Sequence, residues 1–185
     1  MFTFVSGNLA LDFIGTVQSR RTEFTDLLET PGDLVEWTVE AALLDSAPAA
    51  DTGALADATR LREATYRLAL AVTHGESLAA ADRQLVNNLA RGALPELTVE
   101  ASGSVKRSGT IETALAAIAR SAVELIGGAD RGRIKECGRE DCTRLYVDTS
   151  RAGSRRWCDM TVCGNRAKSA AFRARNTETD THAVH

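Results

Sequence analysis

The stretch KECGREDCTRLYVDTSRAGSRRWCDMTVCGNRAK, residues 135–168, decides how the C-terminal part of this chain folds. It holds all four cysteines of the 185-residue sequence: Cys137, Cys142, Cys158 and Cys163. They form two C-x4-C pairs with 15 residues between the pairs. Two symmetrical pairs at this separation are what a tetrahedral four-thiolate zinc site requires. The pattern therefore predicts one Zn²⁺ bound by the four cysteines.

The wide spacing within each pair constrains where its members lie. A regular helix turns about 100° per residue, so two positions five residues apart point away from each other. We therefore expect Cys158 in the turn before a helix and Cys163 in the first turn of that helix. A closed four-thiolate site leaves no open position for water, so the predicted zinc is structural rather than catalytic.

Other uses of four cysteines are two disulfides, a redox pair or an iron–sulfur cluster. A thioredoxin-like redox pair would use C-x-x-C on a βαβ unit, which the sequence lacks. Structural disulfides are rare in the cytosol, and a cytoplasmic location is our expectation. The N-terminal stretch MFTFVSGNLALDF has no basic start and carries Asp12, unlike a signal peptide. No segment approaches the ~20 apolar residues of a membrane span, so we expect no membrane contact.

Charge is distributed unevenly along the chain. Residues 1–130 hold ten Lys/Arg and 18 Asp/Glu, a net charge of −8, whereas residues 131–176 hold twelve and five, a net charge of +7. A basic segment on an acidic body suggests an anionic partner for that segment. The same distribution would also arise if the basic segment docked on its own acidic body. Charge alone leaves both interpretations open.

The first 130 residues have the patterns of a mostly helical α+β domain with a small β-sheet. The opening FTFVSGNLALDFIGTV predicts a strand–turn–strand unit, with Asp12 hydrogen-bonded to nearby backbone or binding a ligand. Thr30, Pro31 and Asp33 predict a capped helix start. Two further helical segments predict a hairpin, the second capped by Ser77. Residues 94–109 predict two short strands, and a final helix begins after Thr110.

Two motifs in this sequence resemble a known family. Cys163, Gly164, Asn165 and Arg166 give the signature of the CGNR zinc-finger family, whose members join this finger to an N-terminal ABATE domain. The opening FVSGNLALDFIGT is similar to the start of that domain, although the family typically has Asn where this chain has Gly15. The resemblance implies an ABATE domain over 1–130, a treble-clef-like zinc-ribbon module over 131–176, and a stress-linked bacterial transcription regulator. We expect the polar tail 177–185 to be disordered.

Basic residues around the second cysteine pair are candidates for contacts with DNA or RNA. On a helix over 163–175, Arg166 and Arg173 lie along one edge, and Lys168 and Arg175 lie along the other. The loop DTSRAGSRR adds Arg151, Arg155 and Arg156, together with hydroxyls and a flexible glycine, as a possible phosphate cradle. The competing interpretation is a solvated or intramolecular role, for example a bond between Arg166 and Asp159.

The sequence thus predicts a cytoplasmic transcription regulator that binds nucleic acid through a structural zinc finger. Its N-terminal domain would sense a small-molecule ligand or form a homodimer. The alternative is a small-molecule-binding or protein-interaction module whose finger is purely structural. No catalytic constellation stands out in the sequence, so we do not expect an enzyme.

Overall fold

The computed structural model describes residues 1–169, so Arg173, Arg175 and the tail 177–185 lie outside the described part. Five α-helices form within the first 128 residues: α1 (Leu9–Ile14), α2 (Pro31–Glu40), α3 (Thr52–His74), α4 (Ala80–Ala90) and α5 (Ile111–Gly127). None of the helices in 1–169 is long and apolar enough to cross a bilayer.

The strands pair as three separate antiparallel ladders. These are β1 (Val17–Gln18) with β2 (Thr25–Asp26), β3 (Glu96–Val99) with β4 (Val105–Ser108), and β5 (Ile134–Glu136) with β6 (Leu145–Val147). A 3-10 helix at Ala129–Arg133 leads from α5 into β5. The predicted α+β class, mostly helical with a C-terminal zinc-finger module, is confirmed.

The opening of the chain is a helix, and the strand–turn–strand prediction is wrong there. Asn8 caps α1, because its Oδ1 accepts hydrogen bonds from the backbone N–H groups of Ala10 (2.9 Å) and Leu11 (3.3 Å). All residues from Ala10 to Ile14 are buried, so the helix has no polar face that would show a 3.6-residue period. A short apolar run of this kind cannot be assigned to helix or strand from periodicity alone.

The other predicted helix starts have mixed outcomes. The capping box of α2 is present, with Thr30 N–H donating to Asp33 Oδ2 at 2.7 Å and Asp33 N–H donating to Thr30 Oγ1 at 3.2 Å. Thr110 likewise precedes α5 in a capping box. Ser77 does not cap α4, which begins later, at Ala80, with no side-chain cap. Three consecutive alanines follow Leu78, and each favours a helix. The sequence alone therefore could not distinguish a helix start just after Ser77 from a start at Ala80.

Two apolar clusters define the core. The larger lies among α1 to α5 and includes Phe13, Trp37 and Ile118. The second joins α1 to the C-terminal hairpin, where Leu11 and Ile14 pack with buried residues of other elements: Ala69, Leu125, Ile134, Leu145 and Val147. The zinc module and the helical domain therefore share a core.

Backbone and side-chain hydrogen bonds reinforce this junction. Val147 N–H donates to the Ser6 carbonyl at 2.8 Å. On the other side of the module, the carboxylate oxygens of Glu136 lie 2.7 Å from Arg21 Nη2 and 2.7 Å from His74 Nε2. The segments that flank α1 and the hairpin that carries the first cysteine pair are consequently held together at several points.

Candidate metal centre and nucleic-acid interface

The first cysteine pair lies at the turn of the β5–β6 hairpin. Cys137 follows β5, and its N–H donates to the carbonyl of Arg144 at 3.0 Å, extending the ladder by one step. The chain then turns tightly, because Cys142 N–H donates to the carbonyl of Arg139 at 3.0 Å. This turn brings Cys142 back toward Cys137, although four residues separate them.

The second pair lies at the start of a helical segment. Asp159 caps it, accepting hydrogen bonds from the N–H groups of Thr161 (2.6 Å) and Val162 (3.3 Å). The first turn, Met160–Gly164, is a π-helix, and residues 165–169 continue as α-helix. Cys158 thus precedes the helix and Cys163 lies in its first turn, as the spacing predicts. A hairpin followed by this helix is the expected treble-clef-like arrangement.

The four sulfur atoms are arranged as a zinc site requires. All four lie within 4.8 Å of one another, with Sγ–Sγ distances of 3.7 Å between Cys142 and Cys158 and 3.6 Å between Cys158 and Cys163. A tetrahedral ion with Zn–S bonds of ~2.3 Å places its sulfur ligands ~3.8 Å apart. Three of the four are buried, and Cys142 is half-buried. The donor set and its spacing fit one structural Zn²⁺.

Proximity of the four thiols makes a cation necessary for their full ionisation. The hydrogen bond to the Cys137 sulfur raises the pKa of Cys142 to about 11, and the Cys137 and Cys142 sulfurs also raise the pKa of Cys158. The bonds that Cys137 receives from these thiols lower its own pKa to about 2. Four thiolates at these distances are compatible only when a divalent cation offsets their charge.

Trp157 covers one side of the small core that the four cysteines form. It packs against the cysteine cluster and is half-buried there. A Cβ added at Gly138 would lie 3.3 Å from the Trp157 ring and 3.0 Å from the Arg156 carbonyl oxygen. A Cβ at Gly164 would lie 3.4 Å from the same ring. Each cysteine pair thus has a glycine where the indole passes close to the backbone.

Arg155 faces the protein rather than solvent. Its Nε donates to the carbonyl of Trp157 at 2.8 Å, and its Nη2 donates to the carbonyl of Val5 at 3.2 Å and to that of Cys158. Its guanidinium also lies over the ring of Tyr146, 4.6 Å from the centroid. These contacts assign Arg155 to the fold, and we remove it from the nucleic-acid surface predicted from the sequence.

The loop after β6 is built around Asp148, which is not among the candidate residues predicted from the sequence. This buried carboxylate accepts hydrogen bonds from Lys135 Nζ (2.7 Å), Ser150 Oγ (2.6 Å) and the N–H of Arg155 (3.1 Å). The Lys135 and Ser150 bonds hold the pKa of Asp148 well below its usual value. The predicted flexible cradle is therefore a fixed turn with Arg151 exposed near its tip. An Asp two residues before a Ser is a turn signal that could have revealed it.

The remaining basic candidates are exposed. Arg151, Arg156, Arg166 and Lys168 are open to solvent. Within residues 1–169, none of the four has an ion pair or a side-chain hydrogen bond. The guanidinium of Arg156 lies over Trp157, 5.5 Å from the ring centroid. The bond between Arg166 and Asp159, an example of the competing intramolecular interpretation, is not formed, because Asp159 caps the helix start instead.

A cleft of about 250 Å³ separates the zinc module from the start of the chain. Arg139, Arg144 and Arg166 line it, together with residues before and after α1. Nothing in the local sequence pattern distinguishes Arg144 from its neighbours, so its place in this cleft could not be predicted from the sequence. Asp12 lies nearby, and as expected it bonds to backbone: its Oδ1 accepts from the N–H groups of Val5 and Ser6, both at 3.0 Å.

Comparison with known protein families agrees with this architecture. Residues 7–129 match the ABATE family, described as "Putative stress-induced transcription regulator", and residues 133–176 match the CGNR zinc finger. None of the curated proteins matches the chain at a significant level. Since the first match covers well over half of the sequence, the chain belongs to the ABATE family and carries a CGNR zinc finger.

Proposed function

We propose that this protein is a transcription regulator whose zinc module binds DNA or RNA. The observation that carries the proposal is a group of four exposed basic side chains around the second cysteine pair that have no ion pair within residues 1–169: Arg151, Arg156, Arg166 and Lys168. Basic side chains that already neutralise a carboxylate contribute little to phosphate binding, whereas unpaired ones can release condensed counterions from nucleic acid. The family description, a transcription regulator, supports the regulatory part of the proposal.

The zinc site serves this surface by fixing its shape. Four thiolates close the coordination sphere, so we assign the ion no chemical step. The metal core holds Trp157 beneath Arg156, and the capped helix start places Arg166 in a groove with Thr161, Asn165 and Ser169. Guanidinium, amide and hydroxyl groups are the donors that position proteins on a sugar–phosphate backbone. We therefore propose a binding protein rather than an enzyme, in a cytoplasm that keeps the thiols reduced.

A salt series with fluorescently labelled nucleic acid tests this proposal. Anisotropy would be measured with random-sequence duplex DNA and single-stranded RNA and the zinc-loaded chain. We expect binding that weakens steeply with salt, and each of Arg156→Gln and Arg166→Gln should reduce the slope of log K against log salt by about 1. Arg83→Gln, an exposed change on α4, is the matched control. Binding no tighter than ~10⁻⁴ M, or a slope that none of these variants changes, would contradict the proposal.

For the N-terminal domain we propose a role in dimerisation as well as ligand sensing. The β3–β4 ribbon exposes one apolar face, on which Leu97 is 68% and Val99 is 79% accessible and Val105 pairs directly with Val99. Exposed apolar surface of this kind marks a contact site for another protein surface, and a second copy covering this face would remove it from water. Light scattering should report a dimer that Leu97→Asp converts to monomer; a monomeric wild-type chain would contradict this part.

The alternative function has one observation in its favour. Arg155 and the shared core tie the finger to the helical domain, as expected if the finger only docks the C-terminal segment. That protein would bind a small molecule or another protein without contacting nucleic acid. The anisotropy series separates the two functions, because the alternative requires that Arg156→Gln and Arg166→Gln have no effect on any measured binding.

A further inference from the structure

We propose that the cleft between α1 and the zinc module is a binding site for a small oxyanion, with Arg144 as its anchor. The cleft has a volume of about 250 Å³, slightly below the range of drug-sized ligand pockets. The proposal locates the ligand site that the sensing role requires, and it does not depend on nucleic-acid binding.

Arg144 is a half-buried cation that lacks a carboxylate partner within residues 1–169. Its Nη1 donates to the carbonyl of Thr3 at 3.1 Å, and its Nη2 donates to the carbonyl of Gly15 at 3.3 Å. These bonds fix the guanidinium and leave three of its five N–H donors unused. The Asp12 carboxylate is close enough to interact with its charge, but forms neither a hydrogen bond nor an ion pair with it within residues 1–169. A partly desolvated cation held in this way is stabilised by an anion that completes its hydrogen bonds.

Gly15 makes this position of Arg144 possible. A Cβ at residue 15 would lie only 2.7 Å from Arg144 Nη1 and 3.1 Å from Cζ. The guanidinium therefore occupies space that any other residue at position 15 would fill. Gly15 has φ −71°, a conformation open to every residue, so the glycine is required for space and not for backbone freedom.

The carboxylates in the cleft wall are already used by their own neighbours. Asp141 pairs with Arg139 at 3.1 Å, and Asp159 caps the helix start. Arg166 lines the same cleft, and none of the described residues provides it with an ion pair. Arg144 and Arg166 are thus the two guanidinium groups of the cleft that remain available to an anion.

The remaining lining restricts the class of ligand. Val5, Val17 and Val162 contribute apolar surface, and Ser19 contributes a hydroxyl from a backbone with φ 49°. The zinc–thiolate group, with a formal charge of −2, also borders the cleft and would repel a highly charged polyphosphate. A carboxylate or phosphate monoester with a small apolar body satisfies both conditions.

Isothermal titration calorimetry on the zinc-loaded full chain tests the site. The probes are sodium benzoate and inorganic phosphate, each titrated at constant ionic strength without nucleic acid. We expect one saturable site for at least one probe; the probe that binds distinguishes a carboxylate from a phosphate ligand. Arg144→Gln should weaken binding about tenfold or more, and Arg83→Gln should not change it.

Gly15→Ala keeps the result interpretable if Arg144→Gln fails to fold. This change leaves the guanidinium in the chain but displaces it from its position, and zinc stoichiometry and circular dichroism would show that the fold is intact. Weaker probe binding by Gly15→Ala, together with an unchanged zinc content, would support Arg144 as the anchor of the site. No saturable binding of either probe, or equal affinity in wild type, Arg144→Gln and Gly15→Ala, would overturn the proposal.

Discussion

Arg62 shows how much a single buried residue can organise in this fold. It is 1% exposed, and its guanidinium donates to both carboxylate oxygens of Asp26 at 2.7 and 2.6 Å and to Thr16 Oγ1 at 3.2 Å. Burial opposes ionisation of Asp26, but the bonds from Arg62 outweigh it and lower the pKa of this carboxyl. The pair is therefore charged at neutral pH and links α3 to the strand pair that follows α1.

We expect Arg62→Ala to destabilise the protein by about 3–5 kcal/mol, because it leaves the Asp26 carboxylate partly buried without its partner. Arg60→Ala is the matched control, since Arg60 lies two positions away on the same helix with an exposed side chain. That variant should stay within about 0.5 kcal/mol of wild type. Urea denaturation of the zinc-loaded chain measures both, and equal losses would contradict the assigned role of Arg62.

Gly138 carries a second prediction at the scale of one residue. Gly138→Ala places a methyl group against the Arg156 carbonyl and the Trp157 ring, so we expect a loss of about 1–3 kcal/mol in the zinc module. Gly132→Ala serves as the control, because a Cβ there meets no atom within 4 Å. Zinc affinity, measured by competition with a chromogenic chelator, should fall in the first variant only. An unchanged affinity for Gly138→Ala would show that Trp157 can move away without cost to the site.

At the scale of elements, sequence patterns succeed where polar residues mark one face or one end. The capping box at Thr30 and Asp33 fixes the start of α2, and the cysteine spacing correctly predicts that Cys163 lies in the first turn of a helix. α1 has a polar marker only at its start, Asn8, and no polar face, because its two sides face two different apolar clusters. The buried position of Arg62 could not be predicted either. A charged residue in α3 predicts an exposed position, and its partner Asp26 lies 36 residues away in the sequence.

The cap of α1 is the element-scale prediction. Asn8 Oδ1 accepts two backbone N–H groups and the hydroxyl of Ser121 on α5 (3.2 Å), so it both starts the helix and docks it. We expect Asn8→Ala to cost about 1–2 kcal/mol of unfolding free energy. Asn8→Asp retains the acceptor and should recover most of this loss. If the two variants are equally destabilised in urea, the side-chain cap is not what holds α1.

For the whole molecule, the charge division at residue 130 gives a misleading picture of two independent modules. The sequence assigns opposite net charges to the two parts, yet Leu11 and Ile14 of α1 pack with Ile134, Leu145 and Val147 of the zinc hairpin. Nothing in the sequence indicates which other residues these apolar side chains pack against. The junction, and the cleft beside it, could therefore be found only from the three-dimensional structure.

Because the zinc module and the helical domain share a core, we expect loss of zinc to destabilise part of the helical domain as well. Removing the ion leaves four thiolates without compensation, so the β5–β6 hairpin should open and uncover Leu11 and Ile14. Hydrogen exchange after chelation should show lost protection at the amides of α1 as well as β6, while α4, which lies outside the second cluster, stays protected. Cys142→Ser should reproduce this pattern without a chelator. If α1 kept full protection while β6 exchanged freely, the two parts would fold independently despite their contact.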